Sequence, residues 1–144
     1  MRRELATVED TRAFGRELAA QLRAGDLVVL AGPLGAGKTV VAQGIGDGLG
    51  VSGRVTSPTF VIARVHHGPL PLVHVDAYRL RDNPRPLDLD DLDLDADLEG
   101  SVVVVEWGDG VVEALSDSRL EVLLERHADD RRTATVTGVG PRWS

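Results

Sequence analysis

The sequence predicts one three-layer α/β domain built on a mixed sheet, with antiparallel strands toward the C-terminus. Three observations carry that expectation. Short apolar runs bounded by glycine, proline and charged residues recur along the 144 residues, in the manner of buried strands. Segments with helical spacing flank the first strong run, so strand and helix share one core. The hydrophobic content of 42 % suits a single core, and no internal repeat or linker divides residues 1–144.

The elements follow in order. Thr7 can cap a helix, with Asp10 three residues on at capping-box spacing. Phe14, Leu18 and Leu22 then recur every fourth residue, an apolar stripe along that helix. "DLVVLA" (26–31) leads into glycines and reads as a buried strand. "TVVAQGIGDGLG" forms the next helix, expected to be short or frayed because Gly44, Gly46 and Gly48 each cost about 1 kcal/mol relative to alanine. Further strands are predicted at 60–66, 71–76, 102–106, 119–126 and 132–137, with hairpin-like pairing near the C-terminus. The segment 82–100 is irregular.

Composition narrows the function classes. The apolar stretches "LVVLAG", "FVIARV" and "VVVVEW" are too short to span a bilayer, so no membrane partner is expected. The N-terminal "MRRELATVED" carries two arginines but no apolar h-region, and does not read as a signal peptide. A cytoplasmic location is the default expectation. With no cysteine, disulfides and thiolate metal sites are excluded. A formal charge of −7 argues against a surface that grips DNA or RNA by phosphate neutralisation. No DNA partner is expected, and any bound anion must be held by a local device.

Such a device surrounds Lys38, the only lysine in a chain whose other basic side chains are fifteen arginines. Gly32, Gly37, Lys38 and Thr39 satisfy G-x-x-x-x-G-K-[ST], with a strand before and a helix after. In a P-loop of this kind, the backbone N–H groups of Gly35, Ala36 and Gly37 converge on phosphate oxygens, and the helix aims its positive end at them. Lysine is a slim point charge that reaches the β- and γ-phosphates, where arginine's planar fork would disturb the loop. Thr39 offers a hydroxyl to Mg²⁺. The expected cofactors are ATP and Mg²⁺, on a three-layer P-loop NTPase fold. The alternative, a chance glycine-rich turn, does not explain the flanking strand and helix.

Such a site needs a carboxylate at the end of a neighbouring strand to hold magnesium, directly or through water. "PLVHVD" ends in Asp76 and "VVVVE" ends in Glu106. The second run is the more fully apolar, which makes Glu106 the better magnesium ligand and leaves Asp76 to position or deprotonate the attacking water. Spacing alone leaves the division of labour between the two acids open.

"GPLGAGKT", "TSPTF" (56–60), "HVDAYRL" (74–80) and "VVVVEWG" (102–108) occur in the order and spacing of the TsaE family, also called YjeE, and the chain resembles that family from "TRAFGRELA" onward. Apart from the P-loop no motif is specific alone; together the four are. The resemblance implies a small bacterial ATPase that acts with TsaB and TsaD homologues in forming threonylcarbamoyladenosine in tRNA. It implies contact with tRNA only through that complex, which agrees with the acidic charge. It assigns Lys38 to the phosphates, Thr39 and Glu106 to magnesium, and Asp76 to the essential acid of H-x-D-x-Y-R. Trp107 matches an E-W pair, although a tryptophan capping the core beside a strand end is as well supported physically. Ser57 and Thr59 fall where a switch-like loop could sense the γ-phosphate; otherwise "TSPTF" is a proline-fixed turn. Thr11 and Arg132 match positions that touch the nucleotide, while Tyr78 and Arg79 could equally be structural.

Rival readings are weaker. His66 and His67 are adjacent, so their side chains diverge in a strand and do not make a metal pair. Asp95, Asp97, Glu99, Gly100 and Glu106 fit EF-hand positions one, three, five, six and twelve, but four valines before Glu106 oppose an exit helix. A small-molecule kinase would need an arginine-bearing lid, for which "YRLRDNPRPL" (78–87) is the one candidate. The guanine-reading N-K-x-D motif is impossible, because the only asparagine is Asn83 and the only lysine is Lys38.

Overall fold

The computed structural model describes residues 2–32, 37–51, 63–66, 68–76, 100–106, 118–128 and 131–143. The elements are β1 (Arg2–Leu5), α1 (Val8–Ala19), β2 (Leu27–Ala31), α2 (Lys38–Leu49), β3 (Ala63–His66), β4 (Leu72–Asp76), β5 (Val102–Glu106), β6 (Arg119–Arg126) and β7 (Arg132–Val139), then a 3₁₀ turn (Pro141–Trp143). The strands form one seven-stranded sheet ordered β1-β7-β6-β2-β5-β4-β3. Its centre, β6-β2-β5-β4, is parallel. Antiparallel strands flank it on both sides, β3 against β4 and the β6–β7–β1 set. The expected mixed α/β sheet is therefore present, with antiparallel pairing toward the C-terminus and at the far edge as well.

Burial explains the centre. Leu27 to Leu30 of β2 and Val102 to Val105 of β5 are at most 2 % exposed, which requires cover on both faces of the sheet. One face is covered by the two helices. Phe14 and Leu18 of α1 and Val41 and Ile45 of α2 pack with Val28, Leu30, Val104 and Val122 in one cluster. Leu22 lies just past the end of α1 yet joins that core, its amide hydrogen-bonded to the Ala19 carbonyl at 3.1 Å. The helix starts as its sequence predicts: Thr7 Oγ1 accepts from Asp10 N at 3.0 Å, and Asp10 Oδ2 accepts from Thr7 N at 3.2 Å.

Two elements depart from expectation. The second helix is neither short nor frayed but runs twelve residues. Its glycines form the seat for α1. A Cβ on Gly44 would lie 3.0 Å from Gly15 Cα, so the helices approach at a distance only glycine allows. Propensity lost to glycine is offset by close helix–helix contact. The sequence also assigned no element to residues 2–5, which form edge strand β1. It pairs antiparallel with β7, buries Leu5, and is tied down by ion pairs of Arg3 with Glu17 and of Glu4 with Arg131.

At the N-terminal edge of the parallel strands, buried Asp26 accepts from Arg142 Nε at 3.0 Å and from the Arg23 amide at 2.8 Å. Arg142 Nη2 also donates to the Gln21 carbonyl at 3.0 Å, so this arginine fastens the C-terminal turn to the body; its guanidinium lies 4.2 Å from the Trp143 ring centroid. Among the described residues, no helix is long and apolar enough to cross a membrane. Of the irregular 82–100 segment, only Gly100 is described, and it is exposed.

Candidate functional site

The carboxyl ends of β2, β5 and β4 lie side by side, and they carry Glu106 and Asp76. In register, Leu30 pairs with Glu106 and Glu106 with Asp76. Gly32 follows the last residue of β2, and Gly37 is the N-cap of α2. Both glycines have positive φ, 144° and 106°, a region that side chains disfavour. Glycine at the two ends of the loop is thus a backbone requirement.

The start of α2 differs in kind from that of α1. The α1 N-terminus is closed by a capping box; Gly37 offers α2 no side-chain cap. The first-turn amides of α2 are therefore not taken up by a capping side chain, and the helix dipole adds positive potential there. Lys38 is 5 % exposed, and its Nζ donates to the Gly32 carbonyl at 2.8 Å, spanning the loop from end to end. Thr39 is half-buried at the second position of the helix.

Thr11 and Arg132 come to the same place from distant parts of the sequence. A Cβ on Gly37 would lie 3.4 Å from Thr11 Cγ2 and 3.6 Å from Arg132 Cδ. Thr11 Oγ1 donates to the Thr7 carbonyl at 3.2 Å, so its methyl faces the loop. Arg132 opens β7, and its Cα partner across the hairpin is Arg126.

Glu106 is 4 % exposed at the end of a strand that is buried throughout. Its Oε2 lies 2.5 Å from Nε2 of His74, which is fully buried. The pairing follows from register: His74 is the Cα partner of Val104, two residues before Glu106, so the two side chains share a face of the sheet. Sequence reasoning gave His74 no role, although H-x-D on a strand beside a strand ending in glutamate was the available signal. Glu106 itself lies in a strand, whereas the twelfth position of an EF-hand loop opens the exit helix. Among the described residues, no group of three or more His, Asp or Glu side chains could hold a metal by itself.

Asp76 is located through its backbone register beside Glu106. Gly35, Ala36, Ser57, Thr59, Tyr78, Arg79 and Trp107 lie outside the described residues, as does His67. His66 is buried at the end of β3.

Comparison with known proteins agrees with the fold. The family described as "Threonylcarbamoyl adenosine biosynthesis protein TsaE" matches residues 5–134. The chain is 58 % identical to a Streptomyces coelicolor protein named tRNA threonylcarbamoyladenosine biosynthesis protein TsaE, over 92 % of this chain and 93 % of that one. A Bacillus subtilis protein of the same name is 41 % identical, over 94 % of this chain and 84 % of its own. The crystal structure of Bacillus subtilis YdiB superposes with a TM-score of 0.81 at 34 % identity, covering 99 % of this chain and 88 % of that chain. With matches that run almost end to end, in sequence and in fold, this chain belongs to the TsaE family.

Proposed function

We propose that this chain binds Mg·ATP in the loop between β2 and α2 and hydrolyses it, and that hydrolysis supports threonylcarbamoyladenosine modification of tRNA together with TsaB and TsaD homologues. The observation that carries the nucleotide reading is the start of α2. Its amides lack a side-chain cap, Lys38 Nζ lies across the loop, and the buried Glu106 carboxylate ends the adjacent strand. The donor set fits the ligand. Loop amides and the positive helix end suit phosphate oxygens. Lys38 would exchange the Gly32 carbonyl for a β- or γ-phosphate oxygen. Arg132, beside Gly37, adds positive charge on the same side.

Thr39 and Glu106 would hold magnesium. A hydroxyl and one carboxylate suit a small hard cation that takes its remaining ligands from phosphates and water. When bound, the cation neutralises charge that develops on the phosphoryl oxygens. Asp76, next to Glu106 in register, would orient or deprotonate the attacking water. The formal charge of −7 supports leaving the tRNA to the partners. The names of the relatives support the tRNA-modifying role.

The test is phosphate release measured beside threonylcarbamoyladenosine formation, with and without this chain and the TsaB–TsaD pair. ATP turnover should rise when the pair is added, because docking completes the γ-phosphate cage and excludes water. Modification over many cycles should fail with Lys38→Ala or Glu106→Gln protein. If repeated modification runs equally well without the chain, the proposal is wrong, however well the chain binds ATP.

A further inference from the structure

We infer that His74 is a positioning residue for Glu106: by donating from Nε2 to one carboxylate oxygen, it sets the side chain so that the other oxygen serves the divalent cation. The inference rests on the Mg·ATP reading above and deepens it.

The geometry is that of a dedicated pair. His74 is 0 % exposed and Glu106 is 4 % exposed, and they meet at 2.5 Å. A glutamate has three rotatable bonds, and nothing in strand geometry alone fixes where its carboxylate ends up. Burial makes an unpaired carboxylate costly, so a charge-assisted hydrogen bond both stabilises and orients it. An ionised carboxylate only accepts, which puts the imidazole proton on Nε2. The remaining nitrogen, Nδ1, is buried and has no hydrogen-bond partner among the described residues. An orphaned acceptor there is cheaper than an orphaned N–H, which favours the same tautomer. Among the described residues His74 therefore does not bridge two groups; its polar contact is directed at Glu106. That is the arrangement in which an outer residue fixes the orientation of a metal-ligating one.

A purely structural pair would behave differently. Replacing it would move the unfolding midpoint and leave the magnesium requirement alone. The experiment titrates Mg²⁺ against a fluorescent ATP analogue, for wild type and for His74→Leu, His74→Asn and His74→Gln. Unfolding midpoints and analogue binding in EDTA are measured beside each. His74→Leu and His74→Asn should raise the Mg²⁺ concentration at half-saturation about tenfold while binding in EDTA is unchanged. Asparagine keeps a polar group but places its amide where Nδ1 lies, out of reach of Glu106. Glutamine carries its amide nitrogen to the place of Nε2 and should stay within about twofold of wild type. In a Glu106→Ala background, His74→Asn should add nothing, because its effect runs through Glu106.

If His74→Leu folds poorly, the asparagine and glutamine variants carry the comparison. The inference is overturned if the asparagine variant keeps the wild-type magnesium midpoint, or glutamine is as impaired as asparagine. It is equally overturned if the effect persists in Glu106→Ala protein. Absence of any magnesium-dependent binding by wild type, or wild-type binding by Lys38→Ala, would instead remove the nucleotide reading, and this inference with it.

Discussion

Gly44→Ala sets helix propensity against tertiary contact, and the two give opposite signs. Alanine should stabilise a helix interior by about 1 kcal/mol relative to glycine. At Gly44 the added Cβ would lie 3.0 Å from Gly15 Cα and 3.0 Å from the Arg12 carbonyl carbon, and closer still to the Arg12 oxygen. Those are backbone atoms that cannot rotate aside. Restoring ordinary contacts, above all to the oxygen, requires the helices to part by roughly 1 Å. That shift runs along a seam where Phe14, Leu18, Val41 and Ile45 are at most 2 % exposed. Overpacking costs about 1–3 kcal/mol, and a rigid backbone target places this site near 3. After the propensity gain the net is a destabilisation of about 2 kcal/mol, which lowers Tm by roughly 4–8 °C at this chain length. Thermal unfolding of wild type and Gly44→Ala, followed by circular dichroism, reads it directly. A Tm equal to or above wild type would refute the close-contact account of α2. Because α2 begins at Lys38, the same variant should also bind nucleotide more weakly.

Further expectations concern the loop and the C-terminal clamp. Mg·ATP should shield Lys38 from acylating reagents while the α-amino group stays reactive; equal labelling with and without nucleotide, read by peptide mass, would count against the loop assignment. Lys38→Arg keeps the charge but should still weaken ATP binding or turnover, since a planar fork cannot retrace the path to Gly32. Glu106→Gln should chiefly raise the magnesium needed for nucleotide binding, whereas Asp76→Asn should bind normally and turn over slowly. Magnesium titrations with phosphate-release assays separate the two, and interchanged phenotypes would reverse the assignment. Arg142→Ala removes two hydrogen bonds from buried Asp26 and should cost about 2 kcal/mol in urea unfolding, with nucleotide binding unaffected.

Local chemistry was readable from the chain. The capping box at Thr7 and Asp10 depends on residues three apart and formed as written. Strands β5 and β6 matched their predicted bounds because continuous or alternating apolar runs have little other use. Lys38 and the loop glycines stood out because their motif fits within eight residues, and the bond from Lys38 to Gly32 stays inside it. Tertiary structure decided whatever depended on partners distant in sequence. Residues 2–5 became a strand because β7 offers an unpaired edge and Leu5 a place in the core, neither visible in "RREL". The glycines of α2 read as weakness until α1 was laid across them at Gly15. The bond between His74 and Glu106 spans thirty-two positions and exists only because β4 and β5 are neighbours in that register. A sequence records which side chain stands at each position; which two of them meet is set by sheet order and register, and those follow from burying every face at once.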